Sequence, residues 1–264
     1  MDSRAIGMFD SGVGGLTVLK EIAKKCPDEN IIYLGDTKDF PYGSKSKENI
    51  IELTKKGIEF LITKNVKLVI IACGTATSQA LEEVQKYYNI PIIGIIEETV
   101  NYIKNKEYKK VGVIATAGTI RSKGWKTAIE NAIENATVYN KACPLLAPMA
   151  EEGWTQNEVA RLTIKEYLKE LKDKDLNCLV LGCTHYPLFK QFIIEELGEK
   201  TDIINTGEIL SEKINEILRQ NKIENMDKSK KDYEIYLTDT ETNFVKVAGK
   251  LLEDDNIANK IEKV

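Results

Sequence analysis

Leu68-Val69-Ile70-Ile71-Ala72-Cys73-Gly74-Thr75 and Cys178-Leu179-Val180-Leu181-Gly182-Cys183-Thr184-His185 are two versions of one pattern. Each is a short run of Val, Ile and Leu, as expected for a parallel strand buried on both faces. Each run ends in a cysteine with a threonine one or two positions on. Open α/β sheets carry their chemistry at the carboxyl ends of the strands. The two runs therefore predict two strands that each deliver a thiol to such an edge. One cysteine at a strand end is ordinarily a packing residue. Packing gives no reason for two at matching places. Two thiols facing each other across a pocket suit a reaction that takes a proton from one face of a carbon and returns one to the other.

On either side of these runs, strand-like and helix-like segments alternate along the chain. Ile6–Phe9, Ile31–Leu34, Leu68–Ala72 and Ile92–Ile96 read as strands, with helices over Leu16–Lys24, Ser46–Lys64 and Ser78–Tyr88. Ser46 is placed to cap its helix, with Asn49 at the third helical position. The pattern then restarts. Lys110–Thr116 is a strand, Ser122–Asn135 a helix, Lys141–Pro148 strand-like, Gln156–Lys172 a helix, Leu179–Gly182 a strand and Leu188–Leu197 a helix. Ile203–Asn205 and Glu208–Asn221 add a strand and a helix. A charged connector, Lys222–Asp232, precedes a late strand at Tyr233–Thr238 and a helix at Asn243–Leu252. This alternation predicts an α/β protein with mostly parallel sheets flanked by helices. A unit of roughly a hundred residues occurs twice, one cysteine in each. The expected division is 1–97 with 210–264 as one domain and 98–209 as the other.

Composition excludes several classes. The 264 residues are 42% hydrophobic and 30% charged, with a net charge of −4, which describes a globular chain. No basic excess suggests nucleic acid, and no apolar stretch reaches membrane-span length. Met1-Asp2-Ser3-Arg4 runs straight into a strand, so no signal peptide is expected. The five cysteines are odd in number and irregularly spaced, which argues against a disulfide framework. Cys26, Cys143 and Cys178 read as buried small hydrophobes.

The residues near the strand ends set the candidate chemistry. Loop amides and helix N-termini lower a thiol's pKa, so Cys73 and Cys183 are candidates for acid/base work. His185, the one histidine of the chain, stands two residues after Cys183 and suits a proton-relaying or tuning role. Cys178, Cys183 and His185 lack zinc spacing, and no metal is expected. Asp10-Ser11-Gly12-Val13-Gly14-Gly15 lacks the dinucleotide and P-loop spacings. It reads either as a tight turn with Asp10 as a cap, or as a carboxylate near Cys73 that holds a substrate ammonium or steers a proton. Pro41-Tyr42-Gly43 is a turn at another strand end. Thr75, Thr184, Ser11 and nearby amides suit a small carboxylate. No cofactor is called for, and no lysine has the context of a pyridoxal phosphate site.

Several stretches together resemble the glutamate racemases, which are cofactor-independent amino-acid racemases. They are Phe9–Leu16, Gly35-Asp36-Thr37 with Pro41-Tyr42-Gly43, Ile71–Ala76, Ala115–Thr119, Cys143-Pro144-Leu145 with Glu151, and Leu181–Pro187. The resemblance implies two pseudo-twofold-related domains with the active site at their interface. It implies Cys73 and Cys183 as the two bases, the first serving D-glutamate and the second L-glutamate. Asp10, Glu151 and His185 would assist proton transfer. Asp10, Ser11, Tyr42, Gly43, Gly74, Thr75, Thr119, Thr184 and His185 would line the substrate site. A homodimer, a bacterial cytoplasm and a role in supplying D-glutamate for peptidoglycan are implied as well. The chain departs from the family at Gly74, where asparagine is usual, and at Gly94–Thr99. An aspartate-type racemase or related small-diacid isomerase, a Cys-His amidohydrolase using Cys183 and His185, and a non-catalytic amino-acid binder are the alternatives.

Overall fold

Strong β-formers in runs of three to six residues leave little choice but short strands. The computed structural model, which describes residues 2–225, 227, 233–240, 242–254 and 256–264, has ten among those residues. They are β1 (Ile6–Asp10), β2 (Ile31–Gly35), β3 (Leu68–Ile71), β4 (Ile92–Gly94), β5 (Lys110–Ala115), β6 (Thr137–Ala142), β7 (Cys178–Leu181), β8 (Asp202–Asn205), β9 (Tyr233–Leu237) and β10 (Ile261–Lys263). One sheet has the order β10-β9-β2-β1-β3-β4 and the other β6-β5-β7-β8. Every neighbouring pair is parallel. All residues of β1, β3 and β7 are buried, which explains why they carry no polar alternation.

The helices are α1 (Gly15–Lys25), α2 (Lys47–Thr63), α3 (Gly74–Val84), α4 (Ile96–Asn105), α5 (Ala117–Ser122), α6 (Gly124–Ala132), α7 (Leu146–Glu151), α8 (Glu158–Leu168), α9 (Lys190–Leu197), α10 (Thr206–Gln220) and α11 (Phe244–Leu252). Ser46 caps α2 by accepting from the Asn49 amide at 3.3 Å. Four differences from the sequence reading have local causes. The helix expected over 122–135 is α6 at 124–132; the stretch before it holds the additional short helix α5, set off from α6 where Lys123 adopts a left-handed φ of 59°. The strand expected over 141–148 is β6 at 137–142, and its second half folds into α7. Helix α4 follows β4 at once, where the sequence reading extended the strand. The three-residue β10 joins the edge of the first sheet beside β9. The expected connector at 222–232 lies partly outside the described residues.

Register decides what meets at the carboxyl edges. Asp10 pairs with Gly35 across β1 and β2, and Phe9 with Ile71 across β1 and β3. Asp10, Asp36 and Cys73 therefore emerge side by side. In the second sheet Ile114 pairs with Leu181, so Thr116 and Cys183 emerge together. Apolar side chains of both sheets, with those of α1, α6 and α10, form one continuous core cluster. At the opposite, amino end of the first sheet, Lys67 pairs with Glu29 at 2.5 Å, both buried.

Candidate active site

The first sheet contributes a thiol set among hydroxyls and carboxylates. Cys73 follows β3 and occupies the N-cap position of α3. Its Sγ lies 3.7 Å from the Ser11 hydroxyl. Asp10 ends β1; its Oδ1 accepts from the Gly12 amide at 3.0 Å and its Oδ2 from the Thr184 hydroxyl at 3.0 Å. Asp10 thus caps no helix, contrary to the simpler reading of this turn; the N-cap of α1 is Gly14, which offers no side-chain cap. Tyr42 is buried and donates to Asp36 at 2.5 Å, and Thr238 donates to the other oxygen of Asp36 at 2.8 Å. Gly43 packs against Thr116 of the other sheet's β5–α5 turn.

The second sheet contributes a thiol with a histidine and a carboxylate. Cys183 Sγ lies 3.6 Å from His185 Nδ1, and His185 Nε2 lies 2.7 Å from Glu151 Oε1. The same Glu151 oxygen accepts from the Val13 amide at 2.7 Å, across 138 residues of sequence. Thr184 is tied to the first sheet by its hydroxyl, which donates to Asp10, and to α1 by its carbonyl, which accepts from the Thr17 hydroxyl at 2.9 Å. Thr75, Thr116 and Thr119 form a triangle of hydroxyls 2.9 to 3.1 Å apart. The glycine-rich turn is explained by these contacts rather than by phosphate. A Cβ on Gly12 would strike the Glu151 carboxylate, and one on Gly14 the His185 ring and Thr184.

Burial sets the electrostatics. It raises Asp10 from 3.8 to about 6, against the pull of His185 and the Gly12 and Thr184 hydrogen bonds. Burial, with the nearby Asp10 carboxylate, pushes the Cys73 thiol up to about 12. Burial disfavours a charged His185, but the hydrogen bonds to Cys183 and Glu151 outweigh it and hold the imidazole well above its ordinary range. Cys183 lies near enough to add to the upward push on the Cys73 thiol. Only 4% of Cys73 and 5% of Cys183 is exposed. Outside them, a cavity of about 570 Å³ is lined by Thr37, Phe40, Glu151, Glu152 and Asn243, among others. Phe40 stacks obliquely on His185 at its inner end, centroids 5.7 Å apart.

All the residues singled out in the sequence converge here: Asp10, Ser11, Tyr42, Gly43, Cys73, Gly74, Thr75, Thr119, Glu151, Cys183, Thr184 and His185. The remaining cysteines are buried too: Cys26 donates to Asn215 Oδ1 at 3.2 Å, Cys143 packs in the same core cluster as Cys183, and burial pushes the thiols of Cys26 and Cys143 up to about 12. Four residues escaped the sequence reading. Asp36 and Thr116 sit at strand ends within motif stretches but carry no chemical signal of their own in the sequence. Tyr33, which donates to the Gly12 carbonyl at 2.5 Å, looks like any core residue of a strand. Thr17, on α1, carries no signal in the sequence at all. Among the described residues no helix is long and apolar enough to cross a membrane.

Each sheet thus brings one buried thiol to its carboxyl edge, Cys73 beside Ser11 and Cys183 beside His185. The family model described as Asp/Glu/Hydantoin racemase matches residues 6–214. A glutamate racemase of Geobacter metallireducens is 42% identical over 253 residues, covering 96% of this chain and 94% of that one. One from Aquifex pyrophilus is 41% identical, with 90% of each chain covered. The solved glutamate racemase of Francisella tularensis, in complex with D-glutamate, superposes with a TM-score of 0.92 at 37% identity, covering 100% of this chain and 98% of that one. An aspartate racemase of Picrophilus torridus shares the fold at a TM-score of 0.62 and 16% identity. On this evidence the chain belongs to the Asp/Glu/hydantoin racemase family.

Proposed function

We propose that this protein interconverts L-glutamate and D-glutamate without a cofactor, with Cys73 and Cys183 as its two bases. The observation that carries the reading is the pair of buried thiols, one from the carboxyl edge of each sheet, around a shared polar interior. Family membership and the D-glutamate complex of a close structural relative support the substrate.

In the L-to-D direction the Cys183 thiolate, beside His185, takes the α-proton. The electron pair of the broken bond stays on the α-carbon. The S–H bond of Cys73 then breaks as its proton passes to the opposite face, leaving that sulfur as the thiolate. The return reaction exchanges the roles, and no net proton is consumed. Asp10 is placed for the substrate ammonium and for proton return to Cys73. The N-terminus of α3 at Gly74 and Thr75, with Ser11, Thr119 and Thr184, suits the carboxylates. Tyr42 and Gly43 close the same wall. Glu151 holds His185 in orientation. Positioned proton transfer of this kind contributes about 10²–10⁴-fold per group, and exclusion of water strengthens each charge contact around the developing carbanion. Both thiols are shielded from solvent, so the two sheets must part for glutamate to enter. The cellular role this reading implies is supply of D-glutamate for peptidoglycan in a bacterial cytoplasm.

Polarimetry with L-glutamate and no added cofactor tests the reading. Wild type in deuterated water is expected to place deuterium at the α-carbon of the D-product. Cys73→Ser and Cys183→Ser are each expected to lose racemisation. Full turnover by both variants would end the two-thiol scheme. Preference for L-aspartate would redirect the substrate, and ammonia release from glutamine would favour amide hydrolysis.

A further inference from the structure

Gly74 directly follows Cys73, and Gly182 directly precedes Cys183. The two glycines touch. A Cβ built on Gly74 would lie about 1 Å inside the nearest approach a real Cβ makes, against the Gly182 carbonyl oxygen. The backbone at Gly74 is not in the left-handed region; among the described glycines only Gly153 and Gly198 have positive φ. Any residue could therefore adopt its conformation, and what demands glycine is the neighbour alone. We propose that Gly74 is the spacer of the thiol pair: its missing side chain lets the Gly182 carbonyl seat directly on the start of α3, and that contact fixes the gap between Cys73 and Cys183. This inference rests on the two-thiol reading above and deepens it.

Both sides of the contact are held. The Gly182 amide donates to the Ile114 carbonyl at 2.8 Å. Behind Gly182 stand Ile114, Ala115 and the buried indole of Trp125, the last 3.0 Å from where a Gly182 Cβ would be. On the other side the Thr77 amide donates to the Cys73 carbonyl at 2.8 Å, and the Thr77 hydroxyl to the Ile71 carbonyl at 2.9 Å. Neither peptide can yield alone, so a side chain at position 74 has to push the two sheets apart where the thiols are. Gly12 and Gly14 differ in kind, since they face the side chains of Glu151, His185 and Thr184. Gly74 is a positioning residue: it touches neither sulfur but sets where each stands. The absence of an asparagine side chain there is then not a lost substrate contact but a requirement of this chain's closure.

Two variants separate these meanings. A displacement of about 1 Å at reacting groups costs on the order of 10²-fold in rate. Gly74→Ala is therefore expected to lower kcat by about 100-fold in both directions, a far larger change than any rise in KM. Gly74→Asn, which restores the amide usual in the family, is expected to lose at least as much, because its Cβ meets the same carbonyl. Gly124→Ala is the control. Its Cβ would stand 3.0 Å from that of Ser78, where α6 meets α3, and it is expected to keep kcat within about threefold, in line with a displacement of only tenths of an ångström. A gain of activity in Gly74→Asn, an undiminished kcat in Gly74→Ala, or equal losses in Gly74→Ala and Gly124→Ala would each overturn the proposal. So would a wild-type glutamate complex with room for a methyl group between Gly74 and the Gly182 carbonyl, a result independent of whether the variants fold. Lack of racemisation by wild type would instead refute the function, leaving the spacer without a pair to space.

Discussion

Asp10→Asn separates what the buried carboxylate does for chemistry from what it costs in stability. Asp10 is fully buried, and its pKa stands at about 6 against an ordinary 3.8. A raised acid pKa means that the folded state holds the proton more tightly than the unfolded state. Stability is therefore highest below pH 4 as far as this group is concerned, and falls as pH rises through 4 to 6. Each pKa unit is worth about 1.4 kcal/mol, so ionised Asp10 costs about 3 kcal/mol above pH 6. Asparagine keeps the acceptor for the Gly12 amide, and the Thr184 hydroxyl can turn to accept from the new NH2. Allowing for the weaker neutral hydrogen bonds, about 2 kcal/mol of added stability is expected at pH 8, with nothing gained at pH 4. At about 2–4 °C per kcal/mol for a chain of this size, the midpoint should rise by roughly 4–8 °C at pH 8. Racemisation should fall by about 10²–10⁴-fold, since asparagine carries no exchangeable acid proton. Calorimetric scans across pH 4 to 8 and polarimetry on the same samples are the assays. A Tm difference independent of pH, or a less stable variant at pH 8, would refute the argument.

Glu151→Gln leaves an acceptor for Val13 but removes the anion that favours a charged His185. His185 should titrate lower, so the alkaline limb of the pH–rate profile should move to lower pH, more strongly in the L-to-D direction; an unmoved limb would contradict the relay. Lys67→Met, at the amino end of the first sheet, leaves Glu29 buried without its cation. A loss of about 3–5 kcal/mol in denaturant unfolding is expected, with kcat retained by the folded fraction; Glu29→Gln in the same chain should recover part of that loss.

The strands, the helices and the pairing of two thiols with strand ends are legible in the chain because they rest on local rules. Short branched runs make buried strands, glycine and proline mark the turns, and a serine three residues before Asn49 starts a helix. The same local rules fail where neighbours in space override them. The turn after β5 is itself the short helix α5, set off from α6 at Lys123, and the second half of a proline-bearing stretch that reads as a strand becomes α7. No local rule finds Thr17 or Tyr33 either, because each acts through a backbone carbonyl of another element.

What the sequence alone determined is therefore the α/β alternation and the candidate residues at the strand ends. The tertiary structure decided which of them meet. Glu151 reaches Val13, Thr184 reaches Asp10, and the Gly182 carbonyl takes the place of a side chain at Gly74. The physical reason is range. Backbone preference and hydrophobic period act over a few residues, whereas the fields and close contacts that shape this site join residues more than a hundred positions apart, and exist only once both sheets are packed.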